Sequence, residues 1–288
     1  MPTLRSIDQR RPLARQRMTP TFASYGLRSS PSFSLDPFLN LDDFEMSAPT
    51  FPPHPHAGFS AVTYLFEDSA GAFRNRDSLG DRSRIEPGAL HWTQAAHGML
   101  HEEVPEHPGE VCHGLQMFVN LADRHKSAKP AAFHASSREI PEARPSAGIR
   151  VRVLAGAFEG VASVLRDLLT PVTFLEIHAE ADATVEIDVP PAHNAFVMTV
   201  RGRGTIVGAQ VEAHEALLFS RDGDRIRITG GPGGLRCLFG AGAPIEEPVV
   251  FGGPFVMTRQ ADIERARERF ARGEMGALSP SFGGAPSR

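Results

Sequence analysis

At 288 residues with 41% hydrophobic content, the chain is long enough for two domains, each with a core of its own. A formal net charge of −4 and a pI near 6.3 give no positive field that would draw in nucleic acid or an anionic membrane. Two cysteines, Cys112 and Cys237, do not make a disulfide framework, no apolar run reaches the roughly eighteen residues of a membrane span, and the N-terminus lacks a secretory apolar core, so a cytoplasmic protein is expected.

Residues 1–35 hold six arginines (Arg5, Arg10, Arg11, Arg15, Arg17 and Arg28) against one acid, Asp8, and read as an extended surface arm. Asp36 to Phe44 sets apolar residues between turn formers, which suggests a segment running onto a sheet. Phe59 to Phe66 is rich in β-branched and aromatic residues at both parities, the mark of a strand covered on both faces. Residues 68–84 are polar, with Gly71 and Gly80, and read as hairpins and loops. Glu86-Pro87-Gly88 then makes a tight turn into a strand through Trp92. A short strand from Gly98 to Val104 ends at Pro105, and Val111–Leu121 is a third apolar run.

Residues 122–150 lose strand alternation and read as the connection between domains. Short β-type runs follow at 149–154, 172–177, 184–189, 195–200, 204–207, 216–219, 225–228 and 234–239, separated by Gly, Pro or Asp turns; that rhythm argues for a second sandwich or barrel. Ile263, Ala266 and Phe270 recur at helical spacing, with Gly273 placed to end the helix. The last fifteen residues, rich in Gly, Ser and Pro, read as disordered.

Chemistry concentrates at His54-Pro55-His56 and His101-Glu102-Glu103. Residues two apart on a strand share a face, so each pair can aim two metal-ligating side chains at one point. Pro55 removes a backbone donor and places its histidines at a strand start or edge. Spacing alone leaves surface histidines as an equal reading, since His178-Ala179-Glu180 shows the same spacing with no His-x-His to join it.

In order along the chain stand Asp36-Pro-Phe-Leu39, Phe51-Pro-Pro-His-Pro-His-Ala-Gly-Phe59, Arg76-Asp-Ser-Leu-Gly80, Glu86-Pro-Gly88, Gly98-Met-Leu-His-Glu-Glu103, Gly114-Leu-Gln-Met-Phe-Val-Asn-Leu121 and Glu247-Pro-Val-Val-Phe-Gly-Gly-Pro-Phe-Val-Met257. In these stretches, from about residue 10 to 272, the sequence resembles the pirin family of the cupin superfamily. The resemblance implies an all-β protein of two tandem cupin jelly rolls (double-stranded β-helices) with a short C-terminal helix. It divides the chain into the arm 1–35, a metal-binding domain 36–135, a metal-free domain 136–257, and a helix with a disordered tail, 258–288.

It also implies one non-haem metal held by His54, His56, His101 and Glu103. Iron(II) is the expected ion, with manganese, nickel, copper or zinc also compatible with three imidazoles and a carboxylate. Strand parity turns Glu102 away from His101, which makes Glu103 the acidic ligand and Glu102 solvated surface. His97, His107, His125 and His134 stand in loop-like sequence and are expected to be exposed, whereas His91, His113 and Gln116 could line or orient the site. Asn75, His97 and Phe118 depart from the family pattern and bear on substrate preference. No second metal is expected among the scattered His178, His193 and His214.

Two functions follow from the resemblance. One is a dioxygenase of the quercetin 2,3-dioxygenase type acting on a flavonol or a related enediol or catechol, with Glu103 as the catalytic base. The other is a metal-dependent regulatory protein that binds a transcription factor or a metabolic enzyme. Neither involves direct contact with nucleic acid or membrane.

Overall fold

The computed structural model describes residues 2–282. Its first half forms strands β1 (Ile7–Pro12), β2 (Arg15–Thr19), β3 (Phe22–Arg28), β4 (Phe38–Met46), β5 (His54–His56), β6 (Phe59–Leu65), β7 (Phe73–Asp77), β8 (Arg84–Ile85), β9 (Leu90–Gln94), β10 (Met99–Pro105), β11 (Cys112–Asn120) and β12 (Ala131–Ala135). Seven of them make a sheet in the order β12-β9-β6-β11-β4-β3-β2, facing a four-stranded sheet β5-β10-β7-β8. This is the first jelly roll. A nine-stranded sheet, built mainly from residues 142–242, makes the second.

Alternation along the strands decides what each face of the seven-stranded sheet does. Val62 and Tyr64 of β6, Trp92 of β9, and Leu115, Met117 and Val119 of β11 point outward, where they pack with Phe174, Phe196, Met198, Leu218 and Leu238 of the second domain. Each such side chain contributes about 1.5–3 kcal/mol on burial, so the two sheets are held face to face. The alternate residues, Ala61, Thr63, Gln116 and Phe118, point into the first jelly roll. All seven residues of β6 are buried, as expected for a strand covered on both faces.

The N-terminal segment is not a surface arm. Strand β1 adds antiparallel to Glu215–Phe219 of the second domain, and β2 and β3 extend the first domain's sheet. Arg5 is fully buried; its Nη1 donates to the carbonyl of His193 (2.7 Å), its Nη2 to that of Pro190 (2.8 Å) and its Nε to that of Gly223 (3.1 Å). The arginines of β1 and β2 are largely outward-facing members of strands, which composition alone cannot distinguish from an arm.

Within residues 122–150, β12 joins the first sheet and Glu142–Ala143 pairs with the second, so the connection carries two strands. In the second domain, Asn194–Ile206 and Arg225–Gly242 are continuous strands where the sequence reads as four runs. Irregular register at Thr199/Arg201 and Gly202/Gly204 shows bulges where turns were expected. Helix α1 spans Gln260–Ala271 with Ile263 and Ala266 buried, and Gly273 follows at φ +73°. No helix among the described residues is long and apolar enough to cross a membrane.

The tail does not fit the disordered reading as far as residue 282; residues 283–288 lie outside the described part. Met275 is buried against Leu100, Phe255 and Ile263. It passes so close to Gly98 (φ +134°) that a Cβ there would lie 2.7 Å from its side chain.

Candidate metal centre

Backbone pairing, more than spacing, assembles the site. Strand β5 lies at the edge of its sheet, which is why it tolerates Pro55. It pairs with β10 so that His54 stands opposite His101 and Pro55 opposite Leu100. On the other side of β10, His101 opposes Asp77 of β7, and Glu103 opposes Asn75. Gly58 (φ +86°) turns the chain from β5 into β6, passing so near the carbonyl of Val256 that a Cβ would lie 1.8 Å from it. The positive φ and the close approach both require glycine.

His54, His56 and His101 each offer a ring nitrogen within 4.8 Å of the other two, with all three pairs of ring centroids 4.7 Å apart. The Nδ1 of His54 donates to the carbonyl of Pro52 at 2.9 Å. That fixes its tautomer and leaves Nε2 as a bare lone pair, 3.2 Å from Nε2 of His101. Burial lowers the pKa of all three imidazoles; their mutual proximity pushes His56 and His101 further down. Neutral, converging imidazoles are the form in which histidine binds a metal.

Glu103 lines the same cavity but does not belong to the 4.8 Å group of imidazoles. Its Oε2 accepts a 2.6 Å hydrogen bond from Thr63, whose hydroxyl also lies 3.2 Å from Oε1 of Gln116. Burial raises its carboxyl to about 7, partly opposed by that hydrogen bond. The donor set therefore fits a divalent cation: three neutral nitrogens and a buried carboxylate with no basic partner among the described residues.

The cavity is about 530 Å³. Leu39, Phe22, Phe44, Phe51, Phe73 and Phe118 supply apolar walls, and Ser24, Arg28, Asn40, Asp42 and Gln116 supply polar groups. Asp42 accepts from Arg28 at 2.8 Å and from Asn40 at 3.0 Å. Sequence reasoning missed this contribution because β2 and β3 lie in the segment read as an arm, and β4, read as running onto a sheet, carries none of the metal-ligating pairs. The alternation of Ser24 with Gly26 and of Asn40 with Asp42 was the available signal.

The other singled-out residues divide. Gln116 lines the cavity. His91 is fully buried on β9, and burial lowers it to about 4. His113 points to the opposite face, where it meets Asp43 at 2.8 Å, and does not reach the centre. His97 and His107 are exposed, whereas His134 is a half-buried member of β12 and His125 a half-buried residue of a short 3-10 helix. Glu102 does point away from His101, but it is fully buried rather than solvated, ion-paired to Arg76 and accepting from the backbone of Ser281 at 3.2 Å. Strand parity gives the direction of Glu102 but not what covers it, which is Arg76 and the segment around Ser281.

Family comparison agrees with the two-domain build. The pirin family matches residues 14–119, and the pirin C-terminal cupin domain matches residues 174–276. Pirin-like protein 2 of Arabidopsis thaliana is 36% identical over 260 residues, 87% of this chain and 79% of its own length. The crystal structure of quercetin 2,3-dioxygenase from Acinetobacter baumannii superposes with a TM-score of 0.84 at 25% identity, covering 96% of this chain and 99% of that one. The Escherichia coli pirin YhhW, solved in complex with nickel(II), shares the fold at a TM-score of 0.65 and 17% identity, covering 85% of this chain and 100% of that one.

Proposed function

Since this chain belongs to the pirin family of two-domain cupins, we propose that it is a metal-dependent dioxygenase acting on a flavonol or a related catechol or enediol. His54, His56, His101 and Glu103 are its metal ligands and iron(II) its metal. The observation that carries this reading is the convergence of three neutral imidazoles, those of His56 and His101 buried and that of His54 half-buried, on one wall of an aromatic-lined cavity of about 530 Å³. A flat polyphenol suits such walls.

A metal held by these four residues would supply Lewis acidity toward substrate oxygens and a site for dioxygen. The chain's own residues do the rest. Glu103, a carboxylate facing the cavity with no basic partner among the described residues, is placed to accept the hydroxyl proton of the incoming substrate. Thr63 donates to Oε2 and so directs the carboxylate. Phe22, Phe44, Phe51 and Phe118 exclude water and hold the ring plane, and Gln116 offers a polar contact to a substrate oxygen.

Oxygen consumption by iron(II)-loaded protein across a panel of flavonols and catechols tests the proposal. Uptake is expected with at least one flavonol, and its loss in folded His101→Ala. No uptake across the panel by metal-loaded parent protein would refute it.

A further inference from the structure

A second polar cluster lies in the first jelly roll, beside the imidazoles but distinct from them. Asp77 opposes His101 across the β10–β7 pair, Asn75 opposes Glu103, and His91 opposes Thr63 across β6–β9. Asp77, Asp81 and His91 each offer a ligand atom within 4.8 Å of the others.

Several buried polar atoms of this cluster lack a hydrogen-bond partner. His91 is fully buried and neither ring nitrogen has a partner. Asp77, 1% exposed, accepts from the backbone N–H of Leu79 (2.8 Å) and Asp81 (2.9 Å) through Oδ1, and its buried Oδ2 has no partner. Asn75, also 1% exposed, donates to Asp81 at 2.7 Å and leaves its own Oδ1 buried and unpaired. Asp81 accepts further from the backbone and hydroxyl of Ser83, both at 2.8 Å.

No basic side chain among the described residues forms an ion pair with either carboxylate. Arg82 donates instead to the backbone carbonyls of Asp77 and Asp81. An unpaired carboxylate oxygen, amide oxygen and imidazole are each costly to bury, and a single cation would take up the two oxygens and one ring nitrogen of His91. The comparable group Glu67, Glu176 and His178 has no such deficit, because Arg236 and Arg150 already pair with its carboxylates.

We propose that Asp77, Asp81 and His91, with Oδ1 of Asn75, form a second site for a first-row divalent cation such as zinc(II) or manganese(II). One imidazole with carboxylate and amide oxygens suits such ions. The cation would tie the 77–84 turn to β9 and so brace β7, the strand that backs His101 and Glu103. This inference does not depend on the dioxygenase reading.

Metal counting tests it. Full-length protein is equilibrated with zinc(II), dialysed against metal-free buffer and assayed for metal per chain. Two ions are expected in the parent, one in His91→Gln or Asp77→Asn, and one in the double variant His54→Ala/His101→Ala. In that double variant, zinc(II) is also expected to raise the melting temperature, and adding His91→Gln is expected to abolish the rise. An unchanged count in both His91→Gln and Asp77→Asn, or no bound ion and no thermal shift in the double variant, would overturn the proposal. The two conservative substitutions serve as alternates should either fail to fold, as checked by circular dichroism.

Discussion

Thr63 shows how one residue can govern the centre without lining up in any motif. Its hydroxyl is the hydrogen-bond donor to Glu103, at 2.6 Å, so Thr63→Val keeps the shape and removes the direction. Losing an outer partner of this kind costs about 10–100-fold in metal affinity. That loss is the expected outcome, read by competition with a chelating dye, and an affinity within twofold of the parent would contradict the role. At this scale the histidine pairs were legible because strand parity is local and strict. Glu102 was legible in direction only: parity turned it away from His101, but what covers it comes from Arg76 and from a tail nearly 180 positions later in the sequence.

Among the elements, β1 departs most from its sequence reading. It alternates exposed and half-buried residues, a pattern that six residues and many arginines do not reveal, and its partner strand lies some 200 residues away. Arg5 anchors the entry to that strand. Arg5→Ala would strand four carbonyl acceptors now satisfied by the guanidinium, and a loss of about 2–4 kcal/mol is expected from urea denaturation. A change under about 0.5 kcal/mol would show that water replaces it freely. The glycine-rich runs of the second domain were misread for a related reason. Glycine signals turns and bulges alike, and only the pairing of Asn194–Ile206 with Arg225–Gly242 distinguishes them.

Over the whole molecule, the two jelly rolls share one apolar interface and one charged network. Tyr64 of β6 donates to Glu176 of the second domain at 2.6 Å, Arg152 reaches Tyr64 at 2.6 Å, and Arg236 pairs with Glu176 at 2.6 Å. Burial by itself would raise the Glu176 carboxyl, but His178, Arg236 and Tyr64 outweigh it and hold it at about 2 against an ordinary 4.5. A carboxyl depressed on folding stabilises the protein above its unfolded pKa. That contribution, about 3 kcal/mol, is therefore lost as pH falls from about 4.5 toward 2. Denaturation midpoints are expected to fall across that range in the parent and more gently in Glu176→Gln; equal slopes would contradict the assignment. None of this interface was legible beforehand. The double-sided burial of β6 could be read from composition, but not that one of its faces is turned to another domain.

In the proposed reaction a metal and an aromatic substrate meet in one cavity, and visible absorption under anaerobic conditions measures that union directly. Adding a flavonol to iron(II)-loaded protein is expected to red-shift the flavonol band in the parent and to leave it unshifted in His101→Ala. A parent protein that takes up iron(II) but leaves the band of every flavonol tested where it lies in buffer would contradict the proposed function.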